Sequence, residues 1–433
     1  MCRSHIGIFF ALVGIFWATV VQGAPLTNED PVEVINFYEL FNNPDAHLSL
    51  ANAPDTTYYI KDHGYPAERH YVTTEDGYIT SLFRIPYSHN LQNQDVKRPI
   101  AFIQHGLFGS SDVWPSLGPD DALPFLLSDA GYDVWMGNAR GNRYSRNHTT
   151  RSINHPDFWR FSWHEIAYYD IAAAIDYTLS TENGQSQDGI HYVGHSQGTT
   201  VMFVLMSSRP EYNQKVKTAH MLAPVAFMDH MDDSMVNSLS PYLGFNNVYS
   251  KLFCSQEFLP YNDFVLAFMY SVCLPGSIVS SFCSSSSGET TVDQGRTNST
   301  ANSVISGAMP AGISTDQILH YMQEHQSGHF RQFDFGTKKN LKVYGTESPP
   351  DYPTELITTE MHLWYSDNDE MSAVEDVLRV AETLPNKVMH HMEDPLWDHG
   401  DFANNWEVRH YINEPIIAIM NEYEARTESA SVN

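Results

Sequence analysis

Positive charge is scarce in this 433-residue chain: 24 lysines and arginines stand against 52 aspartates and glutamates, a formal net charge of -28 with histidine neutral. Phosphate is repelled by such a surface, which excludes a nucleic-acid partner and weakens any case for adhesion to anionic membranes. Cysteine is rarer still, with 4 residues. Cys254, Cys273 and Cys283 cluster without a Cys-x-x-Cys spacing, which argues against a thiolate metal centre. Past the N-terminus no run is long and apolar enough to span a bilayer, so no transmembrane anchor is expected. No internal repeat is evident. Histidine, by contrast, is plentiful: full protonation of all 21 would cancel most of the negative charge, which is compatible with an acidic working compartment.

The N-terminus has the layout of a secretory leader. Arg3 gives a basic start, residues 6–21 are an apolar core short for an anchor, and Val21-Gln22-Gly23 offers small residues for cleavage near Gly23–Ala24. Residues 1–23 are thus expected to be a signal peptide and the protein to enter the secretory pathway, to be secreted or lysosomal. In that oxidising compartment the three remaining thiols allow one bridge and one leftover. Asn147-His148-Thr149 and Asn298-Ser299-Thr300 are candidate glycosylation sites at Asn147 and Asn298.

Residues 24–55 are acidic and polar and are expected to form a pro-segment or arm, with regular structure starting near Tyr65. A hairpin is expected over 71–83, with the turn at Glu75-Asp76-Gly77. Strands are expected at 99–104, 132–136, 190–193 and 219–226, a helical stretch at 157–179, and a helix running to Ser208. Short apolar runs alternating with helices predict an α/β fold, a mostly parallel central sheet with helices on both faces, whose first part spans 56–226. The rhythm breaks at residues 227–340, expected to be an inserted, mainly helical cap or lid holding the aromatic run 264–270 and a serine-rich loop at 284–287. It returns in 341–433 with strands at 361–365 and 387–390 and a closing helix over 411–423, whose apolar face is Ile412, Ile416, Ile417 and Met420.

Chemistry concentrates at Gly194-His195-Ser196-Gln197-Gly198, between a short buried run and a helical stretch. A serine on such a strand-to-helix turn sits in strained backbone with its hydroxyl exposed, and the flanking glycines let the two elements pinch together: the nucleophile elbow of an α/β-hydrolase. A serine needs a base oriented by an acid, and in this fold the chain order is Ser, Asp or Glu, then His. The strand at 361–365 is followed by three carboxylates, Asp367, Asp369 and Glu370. His399 lies beyond the last strand and before the final helix, where the base belongs; His390 and His391 sit in that strand and read as packing or surface residues. The oxyanion donors are expected to be the backbone amides of Gln197 and of Leu107, in the His105-Gly106-Leu107-Phe108-Gly109 loop after strand 99–104. This chemistry calls for no metal and no cofactor.

Several segments resemble the acid lipase family, which includes gastric and lysosomal acid lipases and many insect members. They are residues 104–107 (Gln-His-Gly-Leu), 130–138, Arg140-Gly141-Asn142, 191–200, 65–68, 74–78, Pro310-Ala311-Gly312 and His399-Gly400-Asp401-Phe402. The similarity runs from about Tyr65 to Tyr423. It implies a triad acid at the Asp of an Asn-Asp pair, hence Asp369, and a disulfide between Cys273 and Cys283. It further implies hydrolysis of fatty-acid esters, triacylglycerols or steryl esters, often at acidic pH, with a lipid ester substrate taken up at a lipid–water interface. The chain departs from the family after Cys283, where Ser-Ser-Ser-Ser-Gly-Glu-Thr-Thr replaces an apolar stretch that helps to form the lid. The alternatives are a general carboxylesterase on soluble esters and a non-catalytic lipid-binding or storage protein of the same fold.

Overall fold

A computed structural model of the chain describes residues 53–253, 255–262, 265–266 and 299–432. The expected leader, nearly all of the 24–55 arm, Cys254, Cys273, Cys283, Asn298, most of 264–270 and the 284–287 loop lie outside these residues.

Short apolar runs become strands in the middle of the sheet, where both faces are buried, and more polar strands flank them at its edges. In chain order the strands are β1 (Glu68–Thr73), β2 (Tyr78–Ile85), β3 (Ile100–Gln104), β4 (Asp133–Met136), β5 (Asn147–His148), β6 (Ile190–His195), β7 (Val216–Leu222), β8 (Glu257–Phe258), β9 (Ile313–Ser314), β10 (Glu360–Ser366) and β11 (Lys387–Met392). Among the described residues the main sheet has nine strands, in the order β1-β2-β4-β3-β6-β7-β10-β11 with β5 on β2. From β4 to β11 every pairing is parallel, while β1, β2 and β5 join antiparallel at one side. The strand period of two divides the core between the two faces. Ile100 and Phe102 of β3 join Trp135 and Tyr192 on one face; Ala101 and Ile103 join Val134, Met136 and Val193 on the other.

Among the described residues regular structure is already present before the expected start near Tyr65, in helix α1 (Thr56–Asp62). Asp55 caps it, accepting from the Tyr58 amide at 3.1 Å, and Thr56 anchors it to buried Asp112 at 2.6 Å. The expected helix at 157–179 is not continuous. A 3-10 turn at Pro156–Trp159 precedes Trp163–Glu165, a π-helical segment Ile166–Ile171 and Ala172–Ser180. Helix α2 (Gln197–Ser208) leaves the elbow. The strand expected at 219–226 runs instead from Val216 to Leu222, because Ala223 turns to φ 50° and its amide bonds to the Trp364 carbonyl at 2.9 Å.

Between β7 and β10 the chain leaves the sheet. The described part of this stretch contains α3 (Ser234–Leu243), α4 (Val248–Leu252) and α5 (Thr315–Ser327), and the ribbon β8–β9, which the apolar periodicity did not indicate. The chain closes with α6 (Glu414–Val432), which buries Ile412, Ile416 and Met420 along one stripe that begins in the π turn before it.

Candidate active site

The sheet order itself creates the crevice. After β3 the chain goes to β4 on one side and later returns to β6 on the other, so the connections part beyond the carboxyl ends of β3 and β6, where open α/β sheets bind ligands. Ser196 follows β6, and the 105–109 loop follows β3.

Ser196 has φ 54° and ψ -121°, a strained conformation for a residue with a side chain. Contacts on both sides impose it. A Cβ on Gly194 would stand 2.7 Å from the Gly198 carbonyl carbon, and one on Gly198 would stand 2.5 Å from the Gln104 carbonyl oxygen. The Ser196 amide donates to Leu222 at 3.0 Å, and Thr199 Oγ1 donates to the Ser196 carbonyl at 2.6 Å.

Ser196, His399 and Asp369 meet across three loops. His399 Nε2 lies 2.8 Å from Ser196 Oγ, and its Nδ1 lies 2.9 Å from Asp369 Oδ2. Burial alone would push the Asp369 carboxyl up, but His399 and the amides of Ser372 and Met371 outweigh it and hold it below the ordinary range. Burial pulls the His399 imidazole down, and Asp369, then Asp398, more than reverse this, leaving it above its ordinary value. The loop carrying His399 is tied to the end of β10 where Ser366 Oγ donates to the Trp397 carbonyl at 2.7 Å. The other candidates face away: exposed Asp367 pairs with His391 at 2.9 Å, Glu370 is exposed, and His390 stacks on Trp364 at 3.8 Å between ring centroids.

Gly106 brings the 105–109 loop against Ser196, since a Cβ there would lie 3.0 Å from Ser196 Cβ. Among the described residues no acceptor engages the Leu107 or Gln197 amide. Gln197 is the first residue of α2, so its amide is one of the donors a helix leaves unused. His105 Nδ1 donates to the Gly106 carbonyl at 2.7 Å, and its Nε2 accepts from the Ala139 amide at 3.2 Å. Burial pulls this imidazole down to about 4, so the ring is neutral, as those two roles require. The segment carrying Ala139 is fixed by Arg140, fully buried between Asp170 (2.8 Å) and Asp76 (2.6 Å).

A cavity of about 110 Å³ adjoins Ser196 and is walled by Met228, Met231, Met309, Met322, Met371 and Ile318. Two residues of the site carried no role in the sequence reading. Gln317 of α5 accepts from Gln197 Nε2 at 3.0 Å, tying cap to elbow; His195 reaches the base loop. The first has no sequence signal, and the second was in view within the elbow motif. Asn147 is exposed in β5. The group Asp229, His230 and Asp376 has metal-ligand chemistry, but Arg379 occupies Asp229 at 2.8 Å and His230 bonds Asp376 at 2.8 Å. No helix among the described residues is long and apolar enough to cross a membrane.

Two family models match the chain: the partial alpha/beta-hydrolase lipase region over residues 56–118 and the alpha/beta hydrolase fold over residues 99–254. Lipase 3 of Drosophila melanogaster is 40% identical over 370 residues, covering 84% of this chain and 92% of that protein. The gastric triacylglycerol lipase of Bos taurus is 35% identical, covering 89% and 94%. The lysosomal acid lipase/cholesteryl ester hydrolase of Macaca fascicularis is 33% identical, covering 88% and 93%. The chain belongs to the acid lipase family of α/β-hydrolases and is a carboxylic-ester hydrolase.

Proposed function

We propose that Ser196, His399 and Asp369 form the catalytic triad of a lipase that hydrolyses neutral fatty-acyl esters, triacylglycerols or steryl esters, through an acyl-enzyme. The observation that carries this is the 2.8 Å contact of His399 Nε2 with Ser196 Oγ, backed by Asp369 at 2.9 Å. Ser196 Oγ attacks the ester carbonyl as His399 takes its proton, and Asp369 holds the tautomer in which Nε2 is free to accept it. The amides of Leu107 and Gln197 stabilise the oxyanion. Collapse of the tetrahedral adduct returns the proton from His399 to the departing alcohol. Water, deprotonated by the same imidazole, then releases the fatty acid.

The substrate class is supported by the names of the relatives, which act on triacylglycerol and cholesteryl esters. Uptake from a lipid–water interface is supported by Leu239, Tyr242, Phe245, Val248, Tyr249 and Leu252, exposed on α3, α4 and the loop between them. Val236 of the same α3 lines the cavity. Residues 227–340 would be the cap, 1–23 the leader and 24–55 the arm of a secreted or lysosomal protein, with glycans on Asn147 and Asn298 and a Cys273–Cys283 bridge.

One observation favours the soluble-ester alternative. The cavity beside Ser196 is smaller than the roughly 150 Å³ that holds a single benzene, too small for a long acyl chain without movement of the methionines. Rates on a trioleoylglycerol emulsion against monomeric p-nitrophenyl acetate separate the two. The lipase function predicts preference for the emulsion, and turnover of the soluble ester alone would overturn it.

A further inference from the structure

His195 takes no part in the proton relay, yet it is held between the two loops that the reaction needs. It is the last residue of β6, directly before Ser196. Its Nε2 lies 2.8 Å from the main-chain carbonyl oxygen of His399. A carbonyl only accepts, so this nitrogen carries the proton. Its Nδ1 faces Gly106, 3.4 Å from the point where a Cβ there would stand. We propose that His195 is a positioning residue for His399, fixing the main chain of the base loop against the nucleophile strand and so setting the distance across which His399 takes the Ser196 proton. It has this role only if Ser196 and His399 act as proposed above.

The base loop needs such a tie. His399 lies in irregular chain between β11 and the short helix Asp401–Asn404. Ser366 anchors the loop on the acid side through Trp397, and His195 anchors it on the nucleophile side. A drift of about 1 Å would take the 2.8 Å contact beyond hydrogen-bond range and cost on the order of 10²-fold in rate. The ring is also suited to stay neutral there. Burial, then the charge of His399, pull it down to about 4, while Asp369 and the His399 carbonyl pull the other way. The titratable groups that face it are His399 and Asp369; the oxyanion loop meets it with Gly106. A cation at this position would oppose the imidazolium that His399 becomes during attack.

The test uses the full-length protein and the variants His195→Gln, His195→Asn and His195→Leu, with kcat and KM on a soluble p-nitrophenyl ester and the rate of fluorophosphonate labelling. A glutamine amide reaches as far as Nε2 and can donate to the same carbonyl; an asparagine amide stops short. The expected result is a fall in kcat of about 10- to 100-fold for Asn and Leu with KM within about twofold, labelling slowed in step, and Gln within about threefold of wild type. A purely structural role would lower the melting midpoint in all three and leave the rate per folded molecule unchanged, which would overturn the proposal. If the Leu variant does not fold, the Gln and Asn pair decides, and equal rates in that pair overturn it. Ser196→Ala separates the two levels: turnover persisting there removes the triad itself, whereas turnover lost there but normal in His195→Asn removes only the role of His195.

Discussion

Asp367 and Asp369 leave the same strand end on either side of Asn368, and Asp369 alone turns inward to meet His399 at 2.9 Å, while Asp367 stays in solvent against His391. The difference is made by local backbone. The Met371 and Ser372 amides close on Asp369 Oδ1 at 2.9 and 2.8 Å and hold its carboxylate under the imidazole. Asp369→Asn should therefore lower kcat by about 10⁴-fold with the fold intact, because an amide can stabilise the wrong tautomer and cannot balance an imidazolium. Asp367→Asn should stay within about twofold. Equal losses in the two variants would contradict this division.

Gly198→Ala tests the elbow as a packing problem. The added methyl would stand 2.5 Å from the Gln104 carbonyl oxygen, which is backbone of the central strand and cannot swing away. The expected cost is about 1–3 kcal/mol of stability together with loss of most activity, because relief of the clash moves Ser196 away from the oxyanion loop. Denaturant unfolding and kcat on a soluble ester read the two effects separately.

Arg140→Met should destabilise strongly. The guanidinium is fully buried, bonded to Asp170 and Asp76 and lying 3.9 Å above the Tyr78 ring. Removing it leaves buried Asp170 without its countercharge, a loss of about 3–5 kcal/mol. Arg140→Met combined with Asp170→Leu and Asp76→Leu should recover part of that loss, measured by the urea midpoint.

His390 provides a pH prediction. It stacks on Trp364 and its Nε2 meets His362 Nδ1 at 3.0 Å; burial, then the neighbouring His362, pull its imidazole down from 6.5 to about 4. The unfolded chain takes up this proton near 6.5 and the folded one only near 4, so between those values the unfolded state binds more protons. The contribution of His390 to stability is therefore present above 6.5 and lost as pH falls towards 4. The melting-point gap between wild type and His390→Gln should stay level from pH 7.5 to about 6.5 and shrink from there to pH 4.5. A constant or widening gap would contradict this assignment.

The parts of this fold that the sequence displayed are those where burial imposes a period. β3, β4, β6 and β10 coincide with apolar runs because both faces of each are covered, whereas β11, at the edge of the sheet, is largely exposed. The misjudged end of β7 shows the limit. Residues 223–226 are as apolar as a strand, but Val225 lines the cavity, and its amide and carbonyl bond to the hydroxyls of Thr199 and Thr200. Helix α1 was missed because its anchor, the Thr56–Asp112 bond, is a contact between distant parts of the chain. The candidate site residues could be named from the sequence because turn chemistry and chain order constrain them: a glycine-flanked serine after a strand, a histidine after the last strand. The ties that hold them, Ser366 to Trp397 and Gln317 to Gln197, depend on which loops meet in space and leave no local pattern.

Reaction of the purified protein with a fluorophosphonate, followed by peptide mapping, tests the central claim most directly. One equivalent of label should appear on the peptide carrying Ser196, vanish in Ser196→Ala and form more slowly by orders of magnitude in His399→Gln, since an unactivated hydroxyl is a poor nucleophile. Label on a different residue, or labelling undiminished in His399→Gln, would contradict the account.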